Sequence, residues 1–321
     1  MIVIENVGPR SPGKIRRQGR KRTLWGVLFG LMVLIYGSHA PLIALTKVHG
    51  QVPFNPSSCV VMIELSKLLI SLATLVFTGG TSALYAAPPL VRVAPYAVPA
   101  ILYALNNNLV VLMQDYMDPS SYQVLSNLKI ASTAVLYSLC LGKRLRPSQW
   151  WALGLLMGAG VCHSYSSLDL GGRVKAEGPG LHITAWGLFL VLLYCCVSGL
   201  AAVYTEKVLK SQKLPLSLQN LYLYVFGVAI NGISSFFVAG DKSFLEGYSG
   251  VVWAIIAGQA ANGLLMSVVL KHGSGIGRLF VISCSMLVNA LLSWAVLGLQ
   301  LTPFFLLPVI MIVLAAFMYY R

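Results

Sequence analysis

Apolar stretches of about twenty residues recur along nearly the whole chain, broken by short polar or basic intervals. Read from those breaks, membrane spans are expected near 24–45, 56–78, 93–113, 119–141, 148–168, 183–207, 216–239, 249–271, 274–297 and 301–320. Each is long enough to cross a hydrocarbon layer of roughly 30 Å as a helix, the form that satisfies its own backbone in lipid. The expected fold class is therefore an all-α membrane protein of ten transmembrane helices. Ten spans of about twenty residues take at least about 200 of the chain, and the remainder is too short for an extramembrane domain. The chain divides into a basic tail, 1–23, a first five-helix half, 24–168, and a second, 169–321. Because five is odd, the second half enters the membrane inverted, a common transporter design. Lys129 and Arg278 lie at comparable places in the two halves, 149 residues apart. Asn106, Asn107 and Asn108 likewise correspond to Asn262 and Gly263.

Composition agrees, with 57% apolar residues, 10% charged and a mean hydropathy of +0.77. An ordinary soluble domain carries about 25% charged residues. The net charge of +14 would suggest nucleic acid in a soluble protein, but in a membrane protein it reports topology first. With ten spans both termini share a side. That side collects sixteen basic residues: seven in the tail, then Arg92, Lys143, Arg144, Arg146, Lys207, Lys210, Lys213, Lys271 and Arg321. The other side holds Lys47, Arg173, Lys175 and Lys242. Both termini are thus expected in the cytosol. The first segment reads as an anchor, not a cleaved signal, because no small-residue cleavage site follows it. Pro56 spoils the Asn55 glycosylation sequon. The six cysteines lack metal or disulfide spacing and are expected as small core residues, with no metal and no cofactor.

Lys67, Lys129 and Arg278 are the cations left at membrane depth, and Glu64 is the one carboxylate expected there. Each costs several kcal/mol unless it faces a cavity or a partner. Glu64 and Lys67, three apart, can pair on one helix face. In the fourth span Tyr122, Ser126, Lys129 and Thr133 form a polar stripe at helical spacing. Tyr103 and Asn107 share a face of the third, Asn220, Tyr224 and Gly227 of the seventh, and Gly263 and Ser267 of the eighth. Such aromatic faces, amides and fixed cations suit a ligand with a flat base, hydroxyls and phosphate, although Asn, Ser and Tyr also bond neighbouring helices. His39, His163 and His182 have no companion at ligand spacing and read as structural. The glycine-rich run His272 to Gly277 lacks the strand and helix of a phosphate loop and reads as a turn. No nucleophile and base, and no pair of acids, stands at membrane depth, so an enzyme is not expected.

The run Tyr122-Gln123-Val124 and Leu128-Lys129-Ile130, with Asn107-Asn108 before it, resembles the nucleotide-sugar transporters of the Golgi, a solute carrier family. So do Val203-Tyr204, Glu206 to Lys210, Gln219-Asn220, Tyr224, and Ser267-Val268-Val269 with Lys271. The resemblance extends from about Leu24 to Tyr320 and points to the subfamily of the CMP-sialic acid and UDP-galactose carriers, nearest a branch described as UDP-sugar transporters. It implies a ten-helix exchanger of the drug/metabolite transporter type in the Golgi membrane. Such a carrier brings in a pyrimidine nucleotide-sugar (UDP-, CMP- or CDP-linked) and returns the nucleoside monophosphate by alternating access. By the same resemblance Tyr122 and Lys129 hold phosphate and Tyr103 and Asn107 line the cavity. Asn220, Tyr224 and Ser267 contact the nucleotide, and Lys67, beside Glu64, lies near the sugar end. Ser126 and Arg278 complete the expected binding set, while Glu64, Gly263 and Lys271 are expected to be structural or gating. The chain departs from those carriers at Ser126-Asn127, at Phe226, at Asn262 and at Arg278, where they have Lys. A guanidinium fork in place of a point charge alters the anion geometry, so the departures bear on substrate. They also leave open a non-transporting relative that acts as a scaffold or regulator. The remaining partners are the bilayer and, as an open question, related transporters in a homo- or hetero-oligomer.

Overall fold

Asn55 shows how the helices begin: its side chain accepts from the backbone N–H groups of Ser57 and Ser58, and Pro56 supplies a first helical residue that has no N–H to satisfy. The computed structural model describes residues 12–48, 52–78, 90–113, 116–117, 119–171, 184–238, 243–298 and 305–321. Its helices are α1 (Pro12–Thr46), α2 (Pro56–Phe77), α3 (Ala97–Met113), α4 (Pro119–Leu125), α5 (Lys129–Leu141) and α6 (Pro147–Gly171). They continue as α7 (Ala185–Ser211), α8 (Leu216–Val238), α9 (Gly250–His272), α10 (Gly275–Leu297) and α11 (Leu306–Tyr320). Thr184, Ser249 and Ser274 cap α7, α9 and α10. Gly142 and Gly298, at φ +62° and +67°, end α5 and α10 in the left-handed conformation that a side chain would strain. Helix α1 starts at Pro12, so the backbone of the basic segment expected as a tail is helical from that residue onward.

Among the described residues, seven segments can cross a membrane by length and composition: Thr23–Thr46, Pro56–Phe77, Ser121–Leu141, Ala185–Ser211, Leu216–Phe236, Gly250–His272 and Gly275–Leu297. Leu306–Tyr320 is apolar but shorter. Phe77, Leu139, Trp151, Phe236 and Phe317 stand exposed on the outside, which acyl chains accept and water would not. Cys140 and Cys196 are exposed there too, so these two are not the core residues expected, whereas Cys59 and Cys195 are buried.

Helix α7 is the most deeply embedded, packed along α5 and α3. Helix α1 packs along α10 and α9, α2 along α8 and α9, α8 along α3, and α11 along α6. At one end of the bundle the C-termini of α5, α7 and α11 meet the N-terminus of α10. Tyr319 and Tyr320 pack on Phe280 there, with ring centroids 5.3 and 5.6 Å away.

Glu206 fastens the same end. It is 0% exposed, which corrects the expectation that Glu64 is the one carboxylate at depth. Its Oε1 is 2.5 Å from Lys210 Nζ and 3.8 Å from Lys143 Nζ, and its Oε2 accepts the Gly275 N–H at 2.5 Å. Lys210 also donates to the Gly273 carbonyl. These bonds use up the amide at Gly275 in the glycine-rich turn, while Ser274 takes the one at Gly277, so the turn has no nest of free N–H groups to offer phosphate.

Candidate functional site

Lys129 owes its position to a break in the fourth expected span. Residues Ser126–Leu128 form a 3-10 turn between α4 and α5. Asn127, buried, donates from Nδ2 to the carbonyls of Gln123 and Val124 and to Ser164 Oγ, at 3.0, 3.2 and 3.3 Å. It lies so close to Gly160 that a Cβ would not fit there. Three residues at 3-10 pitch turn the chain about 60° beyond an α-helix, so the expected stripe is broken. Thr133 is buried and bonded to the Lys129 carbonyl. Lys129 and Ser126 instead line a cavity of about 180 Å³ with Tyr36, Asn127, Ser283 and Met286. Among the described residues Lys129 Nζ has neither a carboxylate nor a hydrogen-bond acceptor.

Arg278 enters from α10, donating from Nη1 to the Tyr103 hydroxyl at 3.1 Å with the ring centroid 5.8 Å away. Its charge also reaches Tyr36 and Tyr194. Lys129 is within electrostatic range of Tyr194 as well, so charges from opposite halves of the chain act on one phenol. Tyr122 packs edge-on against Tyr194, with centroids 5.8 Å apart. No carboxylate of a described residue pairs with Arg278. Tyr36 and Tyr194 were not on the expected list. Tyr194 stands four residues before the small Ser198-Gly199 pair within the apolar first part of α7, which offers the sequence reader little to separate it from the core.

A second group surrounds Lys67. Its Nζ is 2.5 Å from Glu64 Oε1 and 4.6 Å from the Tyr224 ring centroid. Two glycines make room for this pair: a Cβ at Gly263 would lie 2.7 Å from Lys67 Cδ, and one at Gly227 2.7 Å from Glu64 Oε2. Asn220 donates to Ser267 Oγ at 2.9 Å, and its Oδ1 is buried with no partner among the described residues.

Two expected residues stand apart. Asn107 is exposed, without a hydrogen bond to any described residue. Lys271 is held at the far end of α9 by the Leu214 carbonyl at 2.6 Å and by Gln219 Oε1. His163 is buried, and His182 falls outside the described residues. A second cavity, about 250 Å³, adjoins the Lys129 cavity through Tyr36 and Met286 and is walled by His39, Gln259, Ser285 and Asn289. Among the described residues no cluster of His, Cys, Asp and Glu could hold a metal.

Comparison with known proteins places this geometry in context. The model of the nucleotide-sugar transporter family matches residues 23–320. The chain is 62% identical over 299 residues to the zebrafish (Danio rerio) protein named "Probable UDP-sugar transporter protein SLC35A4", covering 93% of this chain and 94% of that one. Proteins of the same name from Xenopus tropicalis and Homo sapiens are 52% and 50% identical, the first covering 95% of this chain and 94% of its own, the second 94% and 96%. A solved crystal structure superposes with a TM-score of 0.68 at 12% identity over 91% of this chain and 94% of that one, a likeness of fold alone.

Proposed function

The chain belongs to the nucleotide-sugar transporter family, a family of carriers rather than enzymes, and on that premise we propose that it exchanges a cytosolic pyrimidine nucleotide-sugar for a lumenal nucleoside monophosphate across the Golgi membrane. The observation that carries this reading is the pair Lys129 and Arg278. Lys67 is neutralised by Glu64, and Lys143 and Lys210 stand on Glu206, whereas these two cations face the interior with no described acid beside them. A phosphate or diphosphate supplies the missing charge, and charge-assisted bonds to it are worth about 1.5–3 kcal/mol each. Asn220, Tyr224 and Ser267, with one amide oxygen unfilled, then take the base and ribose.

The packing supports two inverted five-helix repeats within ten spans. Exchanging the halves turns the α1–α10 contact into α7–α5, α1–α9 into α7–α3 and α2–α9 into α8–α3, and all six occur. Asn106 and Asn262, at corresponding positions, both keep a buried amide oxygen without a partner. The end fastened by Glu206 carries Lys143, Lys207, Lys210, Lys213 and Arg321, which favours the cytosolic side and both termini there. Both cavities are reached by the part of α10 running away from that end, from Leu279 to Asn289. The arrangement corresponds to a carrier shut toward the cytosol. Emptied of anion, the site leaves two cations with no described acid beside them, which disfavours the empty protein's reorientation and couples entry of one nucleotide to exit of another.

A thermal-shift screen of the purified chain against UMP, CMP, GMP and their sugar conjugates tests the reading. A ligand at 100 times its Kd stabilises by about 2.7 kcal/mol. Stabilisation confined to pyrimidine ligands is expected; none by any nucleotide would overturn it.

A further inference from the structure

The 250 Å³ cavity was not part of the site expected from the sequence, and its chemistry differs from that of its neighbour. His39 of α1, Gln259 of α9, and Ser285 and Asn289 of α10 line it with Tyr36, and no described lining residue carries a formal charge. Three of these groups have unused bonding capacity. His39 and Gln259 make no hydrogen bond with any described residue, and Asn289 only accepts, weakly, from Ser293 at 3.4 Å, leaving its Nδ2 free. These side chains are partly exposed to the chamber, and three polar groups with spare capacity around one space suit an occupant that bonds to them.

The position follows from helix geometry. Gln259, Gly263 and Ser267 recur every four residues on α9, so the Gln259 wall continues the face that meets Lys67 and then Asn220. Asn289 follows Arg278 by eleven residues on α10, about 16 Å along the axis. A ligand whose phosphates rest at Lys129 and Arg278 extends past Tyr36 into this chamber with its other end.

Resting on the reading above, we infer that this cavity is the subsite for the non-nucleotide end of the substrate, and that His39, Gln259 and Asn289 select an uncharged, hydroxyl-bearing sugar over an acidic one. Amide groups both donate and accept, as hydroxyls do, so they match hydroxyls in pairs. An acidic sugar would bring a carboxylate into a chamber with no cation among its described residues, since Lys67, the cation on the adjoining turn, is already paired with Glu64 at 2.5 Å. Desolvating such a charge without a partner costs several kcal/mol.

The test is calorimetric binding to the full chain in nanodiscs, with UMP and CMP, the neutral conjugates UDP-glucose, UDP-xylose and CDP-glucose, and the acidic conjugates UDP-glucuronate and CMP-sialic acid. In the base series that binds, neutral conjugates should bind at least tenfold tighter than acidic ones. Gln259→Leu with Asn289→Leu, of similar volume, should weaken the neutral conjugates at least tenfold and leave the monophosphate within twofold. Ala40→Phe, which fills the chamber from α1, should do the same, and Gln259→Lys should narrow or invert the preference for neutral over acidic. Equal binding of acidic and neutral conjugates by the wild type, or variants that shift monophosphate and conjugate alike or shift neither, would overturn the subsite while leaving the carrier reading intact. A wild type that binds no nucleotide would end both.

Discussion

Arg278 donates to the hydroxyl of Tyr103 across 3.1 Å, tying α10 of the second half to α3 of the first. The phenol accepts one N–H of a five-donor fork and leaves the others to a ligand. Arg278→Lys removes the fork and keeps the charge, so it should alter the ranking among phosphate-bearing ligands while the folded yield changes little. Tyr103→Phe removes the acceptor and should cost about 1 kcal/mol of nucleotide binding. A double-mutant cycle, read by titration, should show the two substitutions to be non-additive by at least 0.5 kcal/mol or so; additivity would mean the bond does not shape the site.

Lys129→Ala should weaken nucleotide binding at least tenfold, matching the loss of one charge-assisted bond of about 1.5–3 kcal/mol. Because no described residue bonds to Nζ, the ligand-free melting temperature should stay close to that of the parent. Thermal shift with and without nucleotide separates the two effects. A variant that binds as well as the wild type removes Lys129 from the site.

Gly263→Ala places a methyl group 2.7 Å from Lys67 Cδ. The lysine stem can swing aside, so the protein should fold, but Nζ then leaves its place over Tyr224. The expected outcome is a several-fold loss of nucleotide-sugar affinity with a drop in stability of about 1 kcal/mol. Unchanged affinity would show that the position of Lys67 does not matter to the ligand.

Glu206 should be the costliest carboxylate to lose. Glu206→Ala strands the buried Gly275 N–H and the Lys210 ammonium and should destabilise by about 3–5 kcal/mol, as breaking buried pairs does. Lys143→Ala should cost under about 1 kcal/mol, because that ammonium is half-exposed and 3.8 Å away. Chemical or thermal unfolding in detergent measures both, and comparable losses would contradict the geometry given to the hub.

How far this was legible in the sequence follows from what each residue type signals. Asn55-Pro56 and Ser274 mark helix starts by local chemistry alone, and the observed starts agree. Lys67, Lys129 and Arg278 stand out because charge within an apolar run is rare and expensive, and the i, i+3 spacing of Glu64 and Lys67 suffices for their pairing. Glu206 lay at the end of its apolar run among Lys207 and Lys210, so it looked like a solvated residue; its burial comes from the arrival of α10, a contact 69 residues distant. The break at Ser126–Leu128 was illegible for a related reason, since it depends on Asn127 meeting Gly160 and Ser164 of another helix. Gln259, in contrast, shares the four-residue spacing of Gly263 and Ser267 and could have been found by extending that stripe one turn.

Uptake into proteoliposomes tests whether Lys129 and Arg278 bind the phosphate of an exchanged nucleotide-sugar. Vesicles holding the full chain, empty or preloaded with UMP or CMP, would be given radiolabelled UDP- and CDP-sugars, with Lys129→Ala as the comparison. Saturable uptake of a pyrimidine nucleotide-sugar is expected, several-fold faster into preloaded than into empty vesicles, and lost in the folded Lys129→Ala variant. Uptake at the rate of protein-free liposomes for every conjugate, or uptake that neither the preload nor the loss of Lys129 affects, would contradict it.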